Sequence, residues 1–298
     1  MRRHPLQSNC FGQPAETSLN CGKEKESVRL FSPVIKVLLC LAISLVLGSA
    51  GIGVATPPAA KRTIRVMTFN IHHGEGVDGK IDLNRIAEVI MSQKADIVGL
   101  QEVDRTVERT ARRDLIAELA ALTGMNYAFG KNIDYQGGDY GNAILSRFRI
   151  MKQQNHHYRI VRSGEQRGLL QAVLQVEGKQ LLLLNTHLDH RRDDGERLSN
   201  IDEIEQVLEQ YKGLPVILCG DFNDTPDSPT LRKVEKIFVD SWRHGGKGEG
   251  FSYSSTEPQK RIDYVFVNKG KALAPGRAWV AVSNASDHLP VIVEFKLP

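Results

Sequence analysis

The chain has 298 residues, of which 41% are apolar and 25% charged, so it is long enough and apolar enough to bury a real core. With 26 Gly, 12 Pro and no internal repeat, the collagen, solenoid and wholly disordered classes are excluded. The formal net charge of +4 would suggest nucleic acid or an anionic surface as a partner, but that inference depends on where the charges lie.

Residues 1–60 form a predicted leader with a flexible segment. The apolar run Val37–Leu47 follows Arg29 and Lys36, and small residues and prolines come after it. This order is typical of a secretory signal peptide, cleaved after Ala50 or Ala55. A retained membrane anchor through residues 34–55 and a buried core helix are the alternatives. We therefore expect an extracytoplasmic protein, secreted or periplasmic, with a membrane anchor as an open alternative.

The leader also carries most of the charge excess. Removing residues 1–55 takes away six of the 39 basic and three of the 35 acidic residues, which leaves a net charge of about +1. It also removes Cys10, Cys21 and Cys40, so Cys219 is the one thiol of the remainder. The exported part can form no internal disulfide and, at its length, does not need one.

The rest of the chain alternates strand and helix patterns. Residues 63–71 and 96–102 have strand character, and the helix between them has Asp82 as its cap. A second helix, over 115–120, is closed by Gly124. Residues 141–146 predict a strand.

A hairpin is predicted next, with strands 169–176 and 180–187 and a turn at 177–179. A third helix covers 198–208. Three further strands are predicted at 215–219, 262–268 and 291–295. Hairpins mixed with helical crossovers predict an α/β sandwich with sheets of mixed direction, in one domain over 61–298.

Polar residues occur at the ends of these strands, where packing in an apolar core does not account for them. Since the start of one antiparallel strand lies beside the end of the next, we expect all of them along one rim. Asp221 and Asn223 are two apart, so in an extended segment both would point the same way. The segments that end strands are Phe69-Asn70, Leu100-Gln101-Glu102, Leu184-Asn185-Thr186-His187 and Cys219-Gly220-Asp221-Phe222-Asn223. The segments that begin strands are Arg261-Ile262-Asp263 and Ser286-Asp287-His288-Leu289-Pro290.

This inventory is rich in carboxylates and carboxamides, with two imidazoles and no thiolate. Such a set favours a hard cation, Mg²⁺ or alternatively Mn²⁺, over zinc. A hard divalent ion beside two histidines suits phosphoester hydrolysis, in which an imidazole activates water and the metal offsets charge on phosphorus.

Each residue taken alone also has an ordinary structural interpretation. Asn70 is a common turn former, and residues 221–226 equally predict an Asx turn opening a helix. His187 alone is typical of a partly buried histidine. The pairs His72-His73 and His156-His157 are not favoured as metal ligands, because adjacent residues in a strand face opposite ways.

Taken together, these segments resemble the endonuclease/exonuclease/phosphatase superfamily over about residues 63–296. The resemblance implies a four-layer α/β/β/α sandwich with two mixed, mainly antiparallel sheets, whose edges open onto a metal site. The motifs that carry it are Asn70 in Met-Thr-Phe-Asn, Gln101-Glu102, Gly141-Asn142-Ala-Ile-Leu-Ser146, Asn185-Thr-His187, Gly220-Asp-Phe-Asn223, Ile262-Asp-Tyr264 and Ser286-Asp-His-Leu-Pro290.

The resemblance also implies roles for the metal side of the site. Glu102 would be the principal Mg²⁺ ligand with Asn70 beside it, Asp287 would complete the metal side, and Asp221 would contact a second metal.

On the catalytic side, Asp221 and Asn223 would orient water and phosphate, and His187 would stabilise the transition state or assist the leaving group. His288 would act as general base or phosphate contact, held in its tautomer by Asp263.

Two further residues are substrate candidates, Asn142 and Arg167. Arg167 is interpreted either as a phosphate contact or as a solvated arginine at a strand entrance, and the pattern favours the latter.

The substrate itself stays open among phospholipid head groups, nucleotides and nucleic acid. The near-neutral body lacks the broad basic footprint of a duplex-binding protein. We expect an exported Mg²⁺-dependent phosphodiesterase that is a monomer. The alternatives are a secreted endonuclease or exonuclease on DNA or RNA, and a catalytically inactive binding module on the same fold.

Overall fold

A computed structural model describes residues 63–270 and 273–297 of the chain. The predicted leader at 1–60 lies outside the described residues. Within them, no helix is both long and apolar enough to cross a bilayer.

The described part of the chain contains two six-stranded sheets. The first has the strand order β11-β12-β1-β2-β4-β3 and the second β5-β6-β7-β8-β10-β9. Each contains one parallel pair, β1 with β2 and β7 with β8, and all other neighbours are antiparallel. The strands are β1 (Thr63–Asn70), β2 (Ile97–Arg105), β3 (Asn126–Tyr135), β4 (Gly138–Ser146), β5 (Arg149–His157), β6 (Gly168–Val176), β7 (Lys179–His187), β8 (Val216–Asp221), β9 (Phe238–Asp240), β10 (Asp263–Asn268), β11 (Ala274–Val280) and β12 (Val291–Lys296).

Helices cover the outer face of each sheet. Helices α1 (Leu83–Ser92) and α2 (Leu115–Thr123) pack on the first sheet, where Ile86 joins a cluster with Met67 and Phe69 of β1. On the second sheet lie α3 (Gly195–Leu208) and α4 (Pro229–Ile237). A short α5 (Trp242–Gly245) follows β9.

The core between the sheets comes from strand residues that alternate in the chain. Ile64 and Val66 of β1 face Leu183 of β7 and Ile217 of β8 in one buried cluster. The residues between them pack outwards against helices. Helix, sheet, sheet and helix therefore form four layers, which confirms the predicted fold class.

The predicted elements lie where the patterns placed them. Asp82 caps α1 by accepting a hydrogen bond from Asn84 N at 2.9 Å, and Gly124 ends α2 with φ +67°. The hairpin turn is tighter than predicted, since Val176 pairs with Lys179 and only two residues form the loop. Glu177 and Gly178 there have φ of +45° and +80°, as a primed two-residue turn requires.

The sequence patterns did not predict β3, β5, β9, β11, α4 or α5. Strand β5 has mostly exposed or half-buried side chains and β11 is an edge strand, so neither shows the alternation that a half-buried strand gives.

Candidate active site

Four strands each place one polar side chain at the open edge of the inter-sheet core. In β8, Ile217 and Cys219 face the opposite sheet, and Asp221 continues on that face where the strand ends. The same alternation carries Asn70, His187 and Asp263 to this edge from β1, β7 and β10.

Strand register brings three of these side chains into one row. His187 pairs with Asp221 across the parallel strands β7 and β8, and Asp263 pairs with Asp221 across the antiparallel strands β8 and β10. The rim predicted from the sequence is therefore present in this sheet.

Asn70 connects the two sheets. Its Nδ2 donates to Glu102 Oε1 at 3.0 Å and to Asp221 Oδ2 at 3.1 Å, while its Oδ1 accepts from His72 N at 3.1 Å. The amide nitrogen, and not the oxygen that would bind a metal, faces the carboxylates. In this arrangement Asn70 bridges two carboxylates, and its role as a metal ligand stays a prediction.

A β-bulge directs Glu102 into the cleft. The pairing of β2 with β4 shifts between Leu100 and Val103, and Glu102 has φ +60°. Gln101 continues the face of Ile97 that points between the sheets, and its Nε2 donates to Asn185 Oδ1 at 2.6 Å. Glu102 is left half-buried on the cleft side.

Asn223 reaches the site by a turn. Strand β8 ends at Asp221, and Asn223 has φ +50° with its N–H donating to Asp221 Oδ1 at 2.9 Å. The predicted extended spacing of these two residues is therefore wrong, although both still face the site. The alternative interpretation, an Asx turn, is observed as well.

Burial keeps His187 neutral. Burial first, and then the positive charges of Arg167, His288 and His190, hold the pKa of His187 well below its usual range. Asn223 Nδ2 lies 3.0 Å from His187 Nε2 and donates to it, which assigns the ring proton to Nδ1.

His288 has the opposite character. Burial lowers the pKa of His288, but the carboxylates of Asp263 and Asp221 outweigh burial and raise that pKa to about 10. The Nδ1 of His288 lies 2.9 Å from Asp263 Oδ2, and Nε2 lies 3.7 Å from Asp221 Oδ2. A charged imidazole donates hydrogen bonds, which fits the alternative of a phosphate contact, and the general-base role stays a prediction.

Asp221 is nearly inaccessible, and its pKa is raised by burial and by the charge of Asp263. His288 and the N–H groups of Asn223 and Asn70 act against that increase. A carboxylate with a raised pKa is the better proton acceptor.

Ser286 has a role that the sequence did not reveal. Its Oγ donates to the carbonyl of Asn70 at 2.8 Å and accepts from His288 N at 3.2 Å. It therefore joins the loop before β12 to the end of β1. The residue was visible in the Ser286-Asp287-His288 motif, but its bonding depends on the tertiary fold.

The cleft above these residues has a volume of about 470 Å³. Carboxylates of Glu102, Asp221 and Asp287 line it together with the cations Arg167 and Lys260. Lys260 and Tyr253, whose ring centroid is 4.8 Å from that of His288, come from the segment between α5 and β10. That segment has no periodic pattern from which the sequence could have indicated them.

The two substrate candidates differ in position. Arg167 lines the cleft but is only 7% exposed and pairs with Glu165 at 2.9 Å, so the solvated interpretation is wrong. Asn142 is 1% exposed and donates from Nδ2 to Gly168 O at 3.1 Å, between the sheets. Because Asn142 is not among the residues that line the cleft, we correct its predicted role from substrate contact to inter-sheet bridge.

The histidine pairs also differ. His156 pairs with Glu203 at 2.8 Å and His157 Nε2 lies 2.6 Å from Lys131 O, away from the cleft. His72 and His73 lie in a tight 3₁₀ turn instead of a strand, and each places a ring nitrogen near Glu102. Burial and the charge of Arg109 lower the pKa of His73.

The carboxylates are suitable ligands for a divalent cation. Glu102, Asp221 and Asp287 line the cleft with carboxylate oxygens. Oxygen is the donor type that Mg²⁺ and Mn²⁺ prefer.

A model of the endonuclease/exonuclease/phosphatase family matches residues 67–288, which spans every residue of the site. The chain belongs to this family. Its members are hydrolases of phosphoester bonds and generally depend on a divalent metal.

Individual proteins that resemble this chain are consistent with its membership of the family. The uncharacterised protein YbhP of Escherichia coli (strain K12) is 29% identical over 255 residues, 79% of this chain and 97% of YbhP. A 5'-tyrosyl-DNA phosphodiesterase of Caenorhabditis elegans is 27% identical over 67% of this chain and 53% of its own length. The mannosyl-6-phosphatase Bt3783 of Bacteroides thetaiotaomicron shares the fold, with a TM-score of 0.66 at 19% identity over 78% of this chain and 99% of its own.

Proposed function

We propose that this protein is an exported, Mg²⁺-dependent phosphodiesterase. The observation that carries the proposal is the charge arrangement of one cleft, in which the carboxylates of Glu102 and Asp287 lie with Arg167, Lys260 and the His288 imidazolium. A phosphodiester needs a cation and fixed positive charge at its oxygens and a proton acceptor for water.

Glu102 and Asp287 would hold the Mg²⁺, with Asn70 fixing Glu102 by its 3.0 Å hydrogen bond. When bound, this ion supplies Lewis-acid stabilisation of the charge that develops on the phosphoryl oxygens. Mn²⁺, which accepts the same oxygen donors, is the expected substitute.

The other side chains act on water and phosphate. Asp221, with its raised pKa, would accept the proton of the attacking water, while Asn223 is oriented by its N–H bond to Asp221. His288, kept charged by Asp263, would contact a phosphoryl oxygen, and Arg167 would stabilise the same charge. His187 would keep Asn223 in position through their 3.0 Å contact.

The choice of diester over monoester is supported by the C. elegans relative, a 5'-tyrosyl-DNA phosphodiesterase. Because the substrate in that relative's name contains DNA, it also favours the second candidate, an enzyme that acts on nucleic acid. An inactive binding module is disfavoured because buried carboxylates beside the cleft are costly without a chemical role.

Turnover of bis-p-nitrophenyl phosphate, with p-nitrophenyl phosphate in parallel, tests the reaction. We expect the diester to be the better substrate with Mg²⁺ or Mn²⁺ and EDTA to abolish turnover. Glu102→Gln, Asp221→Asn and His288→Ala should each lose about 10²-fold or more in kcat, whereas Asp134→Asn on an exposed side chain should not. Metal-independent turnover, or full activity of Asp221→Asn, would reject the mechanism. A clean protein that hydrolyses neither ester would favour the binding module.

A substrate panel of DNA, RNA, sphingomyelin, phosphatidylinositol and nucleotide diphosphates would then assign the natural phosphoester. Export is proposed from the apolar run Val37–Leu47 and its small-residue flank. Fractionation of cells expressing the full chain tests it, since recovery only in the cytosol would reject export.

A further inference from the structure

The turn after β1 holds two consecutive histidines that the proposed hydrolysis does not use. His72 and His73 both have φ of +44°, so the alternation of a strand does not apply and the rings stay together. Their centroids are 4.5 Å apart at an interplanar angle of 70°.

Both rings lie beside Glu102. One donor atom from each of His72, His73 and Glu102 lies within 4.8 Å of the other two. Two donors about 2.1 Å from a common ion lie at most about 4.2 Å apart, so small side-chain rotations would bring all three onto one ion.

His73 supplies an independent indication of a ligand. It is 7% exposed, its Nε2 lies 3.4 Å from Glu75 Oε2, and its Nδ1 is buried with no hydrogen-bond partner among the described residues. A buried ring nitrogen without a partner is unfavourable, and a cation would satisfy it. A carboxylate on the other ring nitrogen is the usual support of a metal-binding histidine.

The charges around the turn also favour a cation. Carboxylates of Glu75 and Glu102 lie nearby, and Arg109 is engaged by both oxygens of Asp104 at 2.8 and 2.9 Å. His72 Nδ1 lies 4.0 Å from Asp287 Oδ1, on the metal side of the cleft.

We propose that His72, His73 and Glu102 form a second cation site, which takes a divalent transition ion such as Mn²⁺, Co²⁺ or Zn²⁺ in preference to Mg²⁺. Imidazole nitrogens suit these ions, whereas Mg²⁺ takes oxygen ligands. Glu102 is shared with the proposed Mg²⁺ site, so a role of the second site in hydrolysis rests on the proposed function. Binding of the ion to the second site does not depend on that function.

Metal binding to the full chain tests the site without any substrate. Protein freed of metal by EDTA and dialysed is titrated with Co²⁺ in millimolar Mg²⁺, and bound Co²⁺ is followed by its visible absorption and by elemental analysis. The variants are His72→Gln, His73→Gln and the double variant. His157→Gln is the matched control, because this exposed histidine lies away from the cleft.

We expect the wild type and His157→Gln to keep one equivalent of Co²⁺ that Mg²⁺ does not displace. Each single variant should bind it at least about tenfold more weakly, and the double variant should lose it. His72 is partly exposed, so His72→Gln keeps the test valid if His73→Gln does not fold. Displacement of all Co²⁺ by Mg²⁺ in the wild type, or unchanged affinity in both single variants, would overturn the second site. The esterase assay decides the proposed hydrolysis separately.

Discussion

The Nδ1 of His288 lies 2.9 Å from Oδ2 of Asp263, and both side chains are buried. The two residues are 25 positions apart, in the loop before β12 of one sheet and at the start of β10 of the other. This pair fixes the ring orientation of His288 and keeps it protonated, so the contact decides which histidine of the site carries charge.

Replacing Asp263 by Asn should remove the positive charge of His288 while preserving the shape of the side chain at position 263. The pKa of His288 should fall because its largest favourable partner is lost. We expect kcat for the diester to decrease by about 10²-fold or more, with a smaller change in KM. Asp134→Asn serves as the control in the same assay. An unchanged kcat would show that the Asp263–His288 contact has no part in turnover.

The two site histidines should titrate in opposite directions. In NMR spectra of the imidazole nitrogens, we expect His288 to be an imidazolium at pH 8 and His187 to remain neutral below pH 6.5. Assignment uses His288→Gln and His187→Gln. A neutral His288 at pH 7 would contradict the charge distribution proposed for the cleft.

The same shifts have consequences for stability. His288 has a raised folded pKa, so its contribution is fully present below pH 6.5 and is lost as the pH rises through about 10. His187 has a lowered folded pKa, so the unfolded state binds the extra proton and stability falls as the pH drops below 6.5. Urea unfolding across this pH range should show that His288→Gln makes the free energy of unfolding less dependent on pH on the alkaline side. His187→Gln should do the same on the acid side.

Lys260 should act on substrate binding more than on the chemical step. Its side chain is exposed at the cleft, whereas its backbone pairs with Tyr253 and is unaffected by Lys260→Gln. We expect KM to rise roughly fivefold, equivalent to about 1 kcal/mol, with kcat nearly constant. The effect should shrink at high salt because an exposed charge is screened. Lys152→Gln on β5, also exposed, is the control. A loss confined to kcat would argue for a different role.

Gly99 should tolerate no side chain. A Cβ there would lie 2.5 Å from Cys219 Sγ and 2.9 Å from Asn185 Oδ1, between the two sheets. Gly99→Ala should therefore lower the free energy of unfolding by about 1–3 kcal/mol. Gly276→Ala on the edge strand β11 meets its nearest atom at 3.2 Å and should cost less. Equal effects of the two substitutions in urea titrations would contradict the close approach of the sheets at Gly99.

The sequence by itself determined the sandwich and the polar residues that end its strands. Strand ends such as Leu184–His187 and Cys219–Asp221 combine an alternating apolar face with a terminal polar residue, and both properties are local to the chain. Alternation then fixes which face the last residue occupies. The helix caps at Asp82 and Gly124 are local for the same reason.

Only the tertiary structure decided the protonation and the contacts of those residues. The charge of His288 and the neutrality of His187 depend on burial and on partners from other strands, and the amide orientation of Asn70 depends on carboxylates from both sheets. The His72–His73 turn departs from strand alternation because its backbone is left-handed, which no residue pattern indicated. Position along a strand is encoded locally, whereas protonation and ligand geometry arise from groups that are brought together only by folding.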